Sequence, residues 1–136
     1  MQPQARTPAR SEEIYMLFDF DRFEITAKLA YRRVGDERFS FDEVLNVFSY
    51  YFSTYELIFE TPHPMISLNQ TASIIEKMPY TPDDAENGIY GETLTPEQYP
   101  PMIDQHFATD YRNCDFNINH FFSGLIRNYR NAETRR

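Results

Sequence analysis

A chain of 136 residues that is 41% hydrophobic and 16% aromatic holds enough apolar material for one packed domain, which excludes a wholly disordered polymer. Its single cysteine excludes an intrachain disulfide and suits a reducing compartment, and the opening run MQPQARTPAR lacks the apolar centre of a signal peptide. The net charge of −8 disfavours non-specific attraction to nucleic acid, and no apolar run approaches the roughly 18 residues of a membrane span, so a soluble, cytoplasmic protein is expected.

Residues 1–10 are polar, without periodicity, and read as a disordered tail, leaving 11–136 as a single helical domain. Ser11 suits a helix cap, with Glu12 and Glu13 in the first turn and Ile14, Leu17 and Phe18 on one face. From Phe23 to Val34 two periods compete. Phe23, Ile25, Ala27, Leu29 and Tyr31 alternate as in a strand, while Phe23, Ala27, Ala30, Tyr31 and Val34 line a helix face. Helix is the expectation, because good helix formers dominate and no second strand is available for pairing. Gly35 ends it.

The strongest signal lies between Phe39 and Glu60. Ser40 and Glu43 have the spacing of a capping box, and Phe39 can staple onto Val44. The polar residues Asp42, Asn46, Ser49, Ser53, Glu56 and Glu60 trace one narrow stripe, and nearly everything else is apolar or aromatic. A helix wet along one line is expected at the centre of the fold, with neighbours on most sides.

Thr61-Pro62-His63-Pro64 cannot continue that helix. Ser67 and Gln70 form a second capping box, with Leu68, Thr71, Ala72, Ile75 and Met78 facing inward and Pro79 as a stop. Residues 79–96 read as an acidic loop, with a single turn from Thr81-Pro82 to Gly88. Thr95-Pro96 starts a longer helix that Pro100 and Pro101 make restart near Tyr99, and Ile103, His106, Phe107 and Tyr111 share its face. Asn117 caps a last helix with Ile118, Phe121, Phe122, Leu125, Ile126 and Tyr129 inward. The expected fold is mainly α: a compact bundle of four or five helices around the aromatic-rich helix at 40–60.

The charge is unevenly spread. Residues 60–110 carry nine acids against Lys77 alone, and residues 111–136 carry five arginines against two acids. Such acidity favours basic partners. The leading expectation is therefore a non-enzymatic interaction protein whose acidic face docks on a basic surface. Its sharpest form is a nucleic-acid mimic that blocks a DNA- or RNA-binding protein, as inhibitors of the anti-restriction or anti-CRISPR type do. The contacting residues would be Asp83, Asp84, Glu86, Glu92, Glu97 and Asp104. The alternative is a small DNA- or RNA-binding accessory protein using Arg127, Arg130, Arg135 and Arg136.

Other patterns are weaker. Asp19-Phe20-Asp21 after an apolar run resembles the Asp-x-Asp of phosphatases of the haloacid dehalogenase class. That resemblance implies a metal-dependent phosphohydrolase, with one aspartate as nucleophile and the other as acid/base. Thr71, Lys77, Asp83 and Asp84 supply the remaining residue types, but no alternating strand–helix units separate them, so two surface aspartates at a helix break are expected instead. The run from Asp83 to Gly88 hints at a calcium loop, yet Ala85 and Leu94 fall where ligands belong. His106, Asp110, Cys114 and His120 are irregularly spaced for zinc. A helix-turn-helix over 40–78 would present Ser67, Asn69, Gln70 and Ser73 to bases, but it carries few phosphate contacts and a long two-proline connection. The common nucleotide and hydrolase signatures are absent, and neither cofactor nor metal is expected.

Overall fold

In the computed structural model of the chain, residues 16–80, 93–109, 111 and 114–123 are described, and their regular elements are helical. In chain order these are α1 (Phe20–Val34), α2 (Phe41–Phe59), α3 (Leu68–Lys77), a 3-10 turn (Pro96–Gln98), α4 (Tyr99–Ala108) and α5 (Ile118–Ser123). The mainly-α bundle expected from the sequence is the fold observed.

Local signals set most of the boundaries. In α2, Ser40 Oγ accepts the Glu43 N–H at 3.1 Å while Glu43 Oε1 accepts the Ser40 N–H at 2.8 Å, and Phe39 and Val44 are both buried beside this box. The same exchange opens α3, where Ser67 Oγ takes the Gln70 N–H at 3.1 Å and Gln70 Oε1 the Ser67 N–H at 2.9 Å. Gly35, at φ 72°, closes α1 with its N–H on the Tyr31 carbonyl at 3.1 Å. Gln98 Oε1 holds the Thr95 N–H at 2.7 Å in the 3-10 turn, and α4 restarts at Tyr99 with prolines in its first turn, where no N–H is needed.

The first element departs from expectation. Residues 16–19 are not helical, and α1 begins only at Phe20, where Asp19 Oδ1 accepts the Arg22 N–H at 3.1 Å. Leu17 is 60% exposed while Phe18 is buried, so these two do not share a face. The reason is long-range: the Glu56 carboxylate accepts the backbone N–H of Leu17 at 2.6 Å and of Phe18 at 3.1 Å. It ties the non-helical residues 17 and 18 to the side of α2. Ser11 to Ile14 lie outside the described residues.

The helical period wins between Phe23 and Val34. Phe23, Ala27 and Ala30 are buried, while Ile25 and Leu29, which a strand would share with Phe23, face solvent. Two alanines bring no side chain beyond Cβ, which lets α1 and α3 approach closely, and among the described helices this is the most extensively packed pair. The Arg33 guanidinium donates to Asn69 Oδ1 at 2.7 Å, joining the end of α1 to the start of α3, so the two run antiparallel.

Ring contacts radiate from α2. Phe48 and Phe52 meet Phe23 of α1 at centroid distances of 4.8 and 5.3 Å, and Phe52 stacks on Phe18 at 4.2 Å. Tyr51 meets Phe107 of α4 at 4.9 Å and Phe121 of α5 at 5.6 Å. Two details correct the sequence reading of this helix. Ser53, assigned to the wet stripe, is buried and donates to the Tyr50 carbonyl at 3.3 Å. Leu57, Ile58 and Phe59 are exposed by 60, 50 and 41%, although the Phe59 ring still meets Phe107 at 6.4 Å and Phe116 at 5.7 Å.

The ends of the expected 79–96 loop belong to the folded body. Tyr80 and Thr93 form an antiparallel bridge, the Leu94 N–H bonds the Pro79 carbonyl at 3.0 Å, and Leu94 is buried. Residues 81–92, with the turn expected at Thr81 to Gly88 and the rejected calcium pattern, lie outside the described residues.

Phe48→Ala or Phe52→Ala is expected to lower the unfolding free energy by about 3–5 kcal/mol, the cost of emptying a closely packed phenylalanine site. Ser53→Ala, which removes a hydroxyl that donates to the Tyr50 carbonyl, should cost about 1 kcal/mol. Urea titration of the three variants checks this, and equal losses at all three would remove α2 from the centre of the core.

Candidate docking groove

The wet stripe of α2 does not simply face solvent. Asn46 and Ser49 on the stripe, with Glu43, Val47 and Tyr50 beside it, form one wall of a groove of about 230 Å³. Pro96, Tyr99 and Pro100, from the 3-10 turn and the start of α4, form the other wall. Two of the expected acidic contacts are here. Glu97 is exposed in the 3-10 turn beside Pro96. Asp104 is exposed on α4, and its Oδ1 accepts the Tyr50 hydroxyl at 2.8 Å, which fixes the carboxylate next to the groove. Among the described residues, no arginine, lysine or histidine lines the groove. Among the described residues the one ion pair is Arg38–Asp36 at 2.6 Å, so neither Glu97 nor Asp104 is neutralised by a described cation.

Each part is positioned by local chemistry. The Ser40–Glu43 box sets the register of α2, which places residues 43, 46, 47 and 50 on one face. The paired prolines fix the entry of α4, and the Tyr99 hydroxyl donates to the Met78 carbonyl at 2.8 Å in a fully buried contact. Burial pushes the Tyr99 phenol well above its ordinary range, so it remains a donor. A groove that combines Val47, Tyr50 and two prolines with Asn46, Ser49 and the Glu43 carboxylate suits an aliphatic stem carrying a positive head.

Asp83, Asp84, Glu86 and Glu92 lie outside the described residues, as do Arg127, Arg130, Arg135 and Arg136. The clue to the groove was the upper half of the α2 stripe, Asp42, Asn46 and Ser49; the proline wall had no sequence signal that linked it to α2.

The remaining chemistry-bearing residues are engaged structurally. Asp19 caps α1 and Asp21 lies exposed in its first turn. Ser67 and Gln70 are held in their capping box and Asn69 receives Arg33. The chain does bring His106, Cys114 and His120 together: Cys114 Sγ is 2.8 Å from His120 Nδ1, and the two imidazole rings are 5.3 Å apart. Asp110 is outside the described residues, and among those described no group of three or more His, Cys, Asp or Glu side chains converges as a metal site. No helix among the described residues is long and apolar enough to cross a membrane.

His63 was read only as part of a helix stop, yet it joins three elements. It is buried against the rings of Tyr51, Phe52 and Tyr55 of α2, at 6.1, 4.8 and 4.9 Å. Its Nε2 accepts the backbone N–H of Ile118 at 2.9 Å, satisfying a donor at the start of α5 that no helical carbonyl can reach. Nε2 is therefore the bare nitrogen, and Nδ1–H donates to the Pro64 carbonyl at 2.7 Å. Burial holds this imidazole below the usual histidine range, against the opposing pull of the Pro64 carbonyl and Asp115.

Comparison of the chain with protein-family models, curated proteins and solved structures finds no match.

The His63 geometry fixes the sign of a pH effect. A folded-state pKa below the unfolded one means that the unfolded chain binds more protons between the two. The stabilisation is complete above the unfolded value of about 6.5 and is lost as pH falls from there through the folded value. The melting temperature should drop more steeply in the wild type than in His63→Gln, which cannot be protonated, as pH falls below about 6.5. Parallel melting profiles for the two proteins would remove His63 as the source.

Proposed function

We propose that this chain is a non-enzymatic interaction protein that docks on a basic surface of a partner protein. The observation that carries the reading is the α2/α4 groove, where Pro96, Tyr99 and Pro100 face Glu43, Asn46, Val47, Ser49 and Tyr50, with no base among the described lining residues. An arginine or lysine from the partner lays its methylenes along Val47, Pro96 and Pro100 and turns its charge toward Glu43, Glu97 and Asp104. The acids at Asp83, Asp84, Glu86 and Glu92, in the stretch of chain that leads into the groove's proline wall, extend the same negative field along the sequence. In its sharpest form the protein is a nucleic-acid mimic, with carboxylates meeting the basic side chains that a DNA- or RNA-binding partner reserves for phosphate.

The test uses substitutions that remove charge and keep shape. Glu43→Gln retains a capping-box residue, Asp104→Asn retains an acceptor for Tyr50, and Glu97→Gln alters an exposed side chain. Together they should weaken capture of basic proteins by roughly tenfold at low salt, since each exposed charge pair contributes about 0.5 kcal/mol. The difference should shrink as salt rises and screening shortens to about 8 Å. Capture is measured from nuclease-treated lysate, and the wild type should not shift free duplex or single-stranded nucleic acid in a gel. Direct, salt-sensitive nucleic-acid binding lost on Arg127→Ala with Arg130→Ala would reject this reading in favour of the basic C-terminal segment.

A further inference from the structure

Cys114 is the one cysteine of the chain, and it is neither fully buried nor alone. Its sulfur lies 2.8 Å from His120 Nδ1 on α5 and accepts the Phe116 N–H at 3.2 Å. Phe116, at φ 56°, turns the chain between the two, and the Asn117 N–H on Asp115 Oδ1 at 3.0 Å holds that turn. Cys114 and His120 are both partly exposed, so a small solute reaches them. A thiol becomes an effective nucleophile when a base takes its proton, and a base within hydrogen-bond distance is the geometric mark of that arrangement. The Phe116 N–H already occupies an acceptor position on the sulfur, which leaves the S–H to be given to Nδ1. The same N–H stays on the sulfur as negative charge develops there.

We propose that Cys114 and His120 form a reactive thiol site whose substrate is a small, uncharged hydroperoxide. Nδ1 takes the thiol proton as the sulfur attacks the nearer peroxide oxygen. The S–O bond forms and the O–O bond breaks. The proton held by His120 passes to the departing oxygen, which leaves as water from hydrogen peroxide or as an alcohol from an organic hydroperoxide. The sulfur is oxidised by two electrons to a sulfenic acid, and the peroxide is reduced by two. A hydroperoxide is the substrate that uses the imidazole twice, first as base and then as acid. An acyl substrate would need donors for an oxyanion, and the Phe116 N–H is engaged by the sulfur. The Tyr111 ring lies 5.0 Å from that of His120 and 5.9 Å from that of Phe116, so the site is bordered by aromatic groups and suits a small neutral molecule. No second cysteine in the chain can condense with the sulfenic acid, so its reduction falls to a thiol from solution.

The test adds hydrogen peroxide to the full, reduced chain at pH 7, traps the sulfenic acid with dimedone and follows the adduct by intact mass. With one cysteine, every adduct reports Cys114, and Cys114→Ser should give none. The folded chain should react at least about tenfold faster than the same chain in urea, where His120 is no longer held at the sulfur. His120→Gln should lose that advantage while helical circular dichroism and melting temperature hold; the folded-against-unfolded comparison stands without any variant. Iodoacetamide separates the two roles of the imidazole. Iodide leaves without a proton, so His120→Gln should slow alkylation less than it slows peroxide oxidation. A folded thiol no faster than the unfolded one, a peroxide rate unchanged in His120→Gln, or equal slowing with both reagents would overturn the proposal.

Discussion

The face of α2 formed by Phe48, Tyr51 and Phe52 must be kept dry, and it contains one hydroxyl. The other elements answer those two demands. The rings are covered by Phe18 and Phe23 on one side and by Phe107 and Phe121 on the other. The Tyr51 hydroxyl donates to the Phe116 carbonyl at 2.8 Å, which removes the cost of burying an unpaired polar group. Phe116 sits in the left-handed region at φ 56°, a conformation that costs an ordinary residue roughly 1 kcal/mol or more. The bond to Tyr51 and the Phe116 N–H on Cys114 Sγ at 3.2 Å hold it there. One buried phenol thereby links the central helix to the turn that launches α5.

His63 works from the other side of the same rings. A proline-bounded segment carries it into the aromatic layer, where it satisfies the first N–H of α5 with its unprotonated nitrogen. Tyr51 and His63 thus both fix α5 to α2 through backbone groups, one as donor and the other as acceptor. Neither depends on the side chains of α5, so the helix is located by its start while Phe121 and Phe122 supply burial.

The groove is a by-product of this arrangement. Packing the aromatic face of α2 against α1, α4 and α5 leaves its stripe outward, and the prolines that start α4 stand beside the first half of it. The groove on α2 and α4 and the Cys114–His120 pair beside α5 use different residues. A bundle whose core uses only part of each helix can carry both without compromising its packing.

Much of this was legible without tertiary information. Ser40/Glu43, Ser67/Gln70, Gly35 and Pro100-Pro101 set their boundaries through bonds and exclusions within four residues, so the sequence alone determined where those helices start and stop. Helical periodicity likewise identified Phe48, Phe52, Ile75 and Ile118 as core. The tertiary structure decided whatever depended on partners far along the chain. Glu56 became a tie for Leu17 and Phe18 rather than a wet-stripe residue, Ser53 was covered, and Leu57 to Phe59 were left outside. His63 acquired Ile118, and Tyr50 acquired Asp104, across 55 and 54 positions of sequence. A periodic pattern says which face of a helix is apolar, but which neighbour covers it, and over how many turns, follows from the lengths and crossings of the other helices.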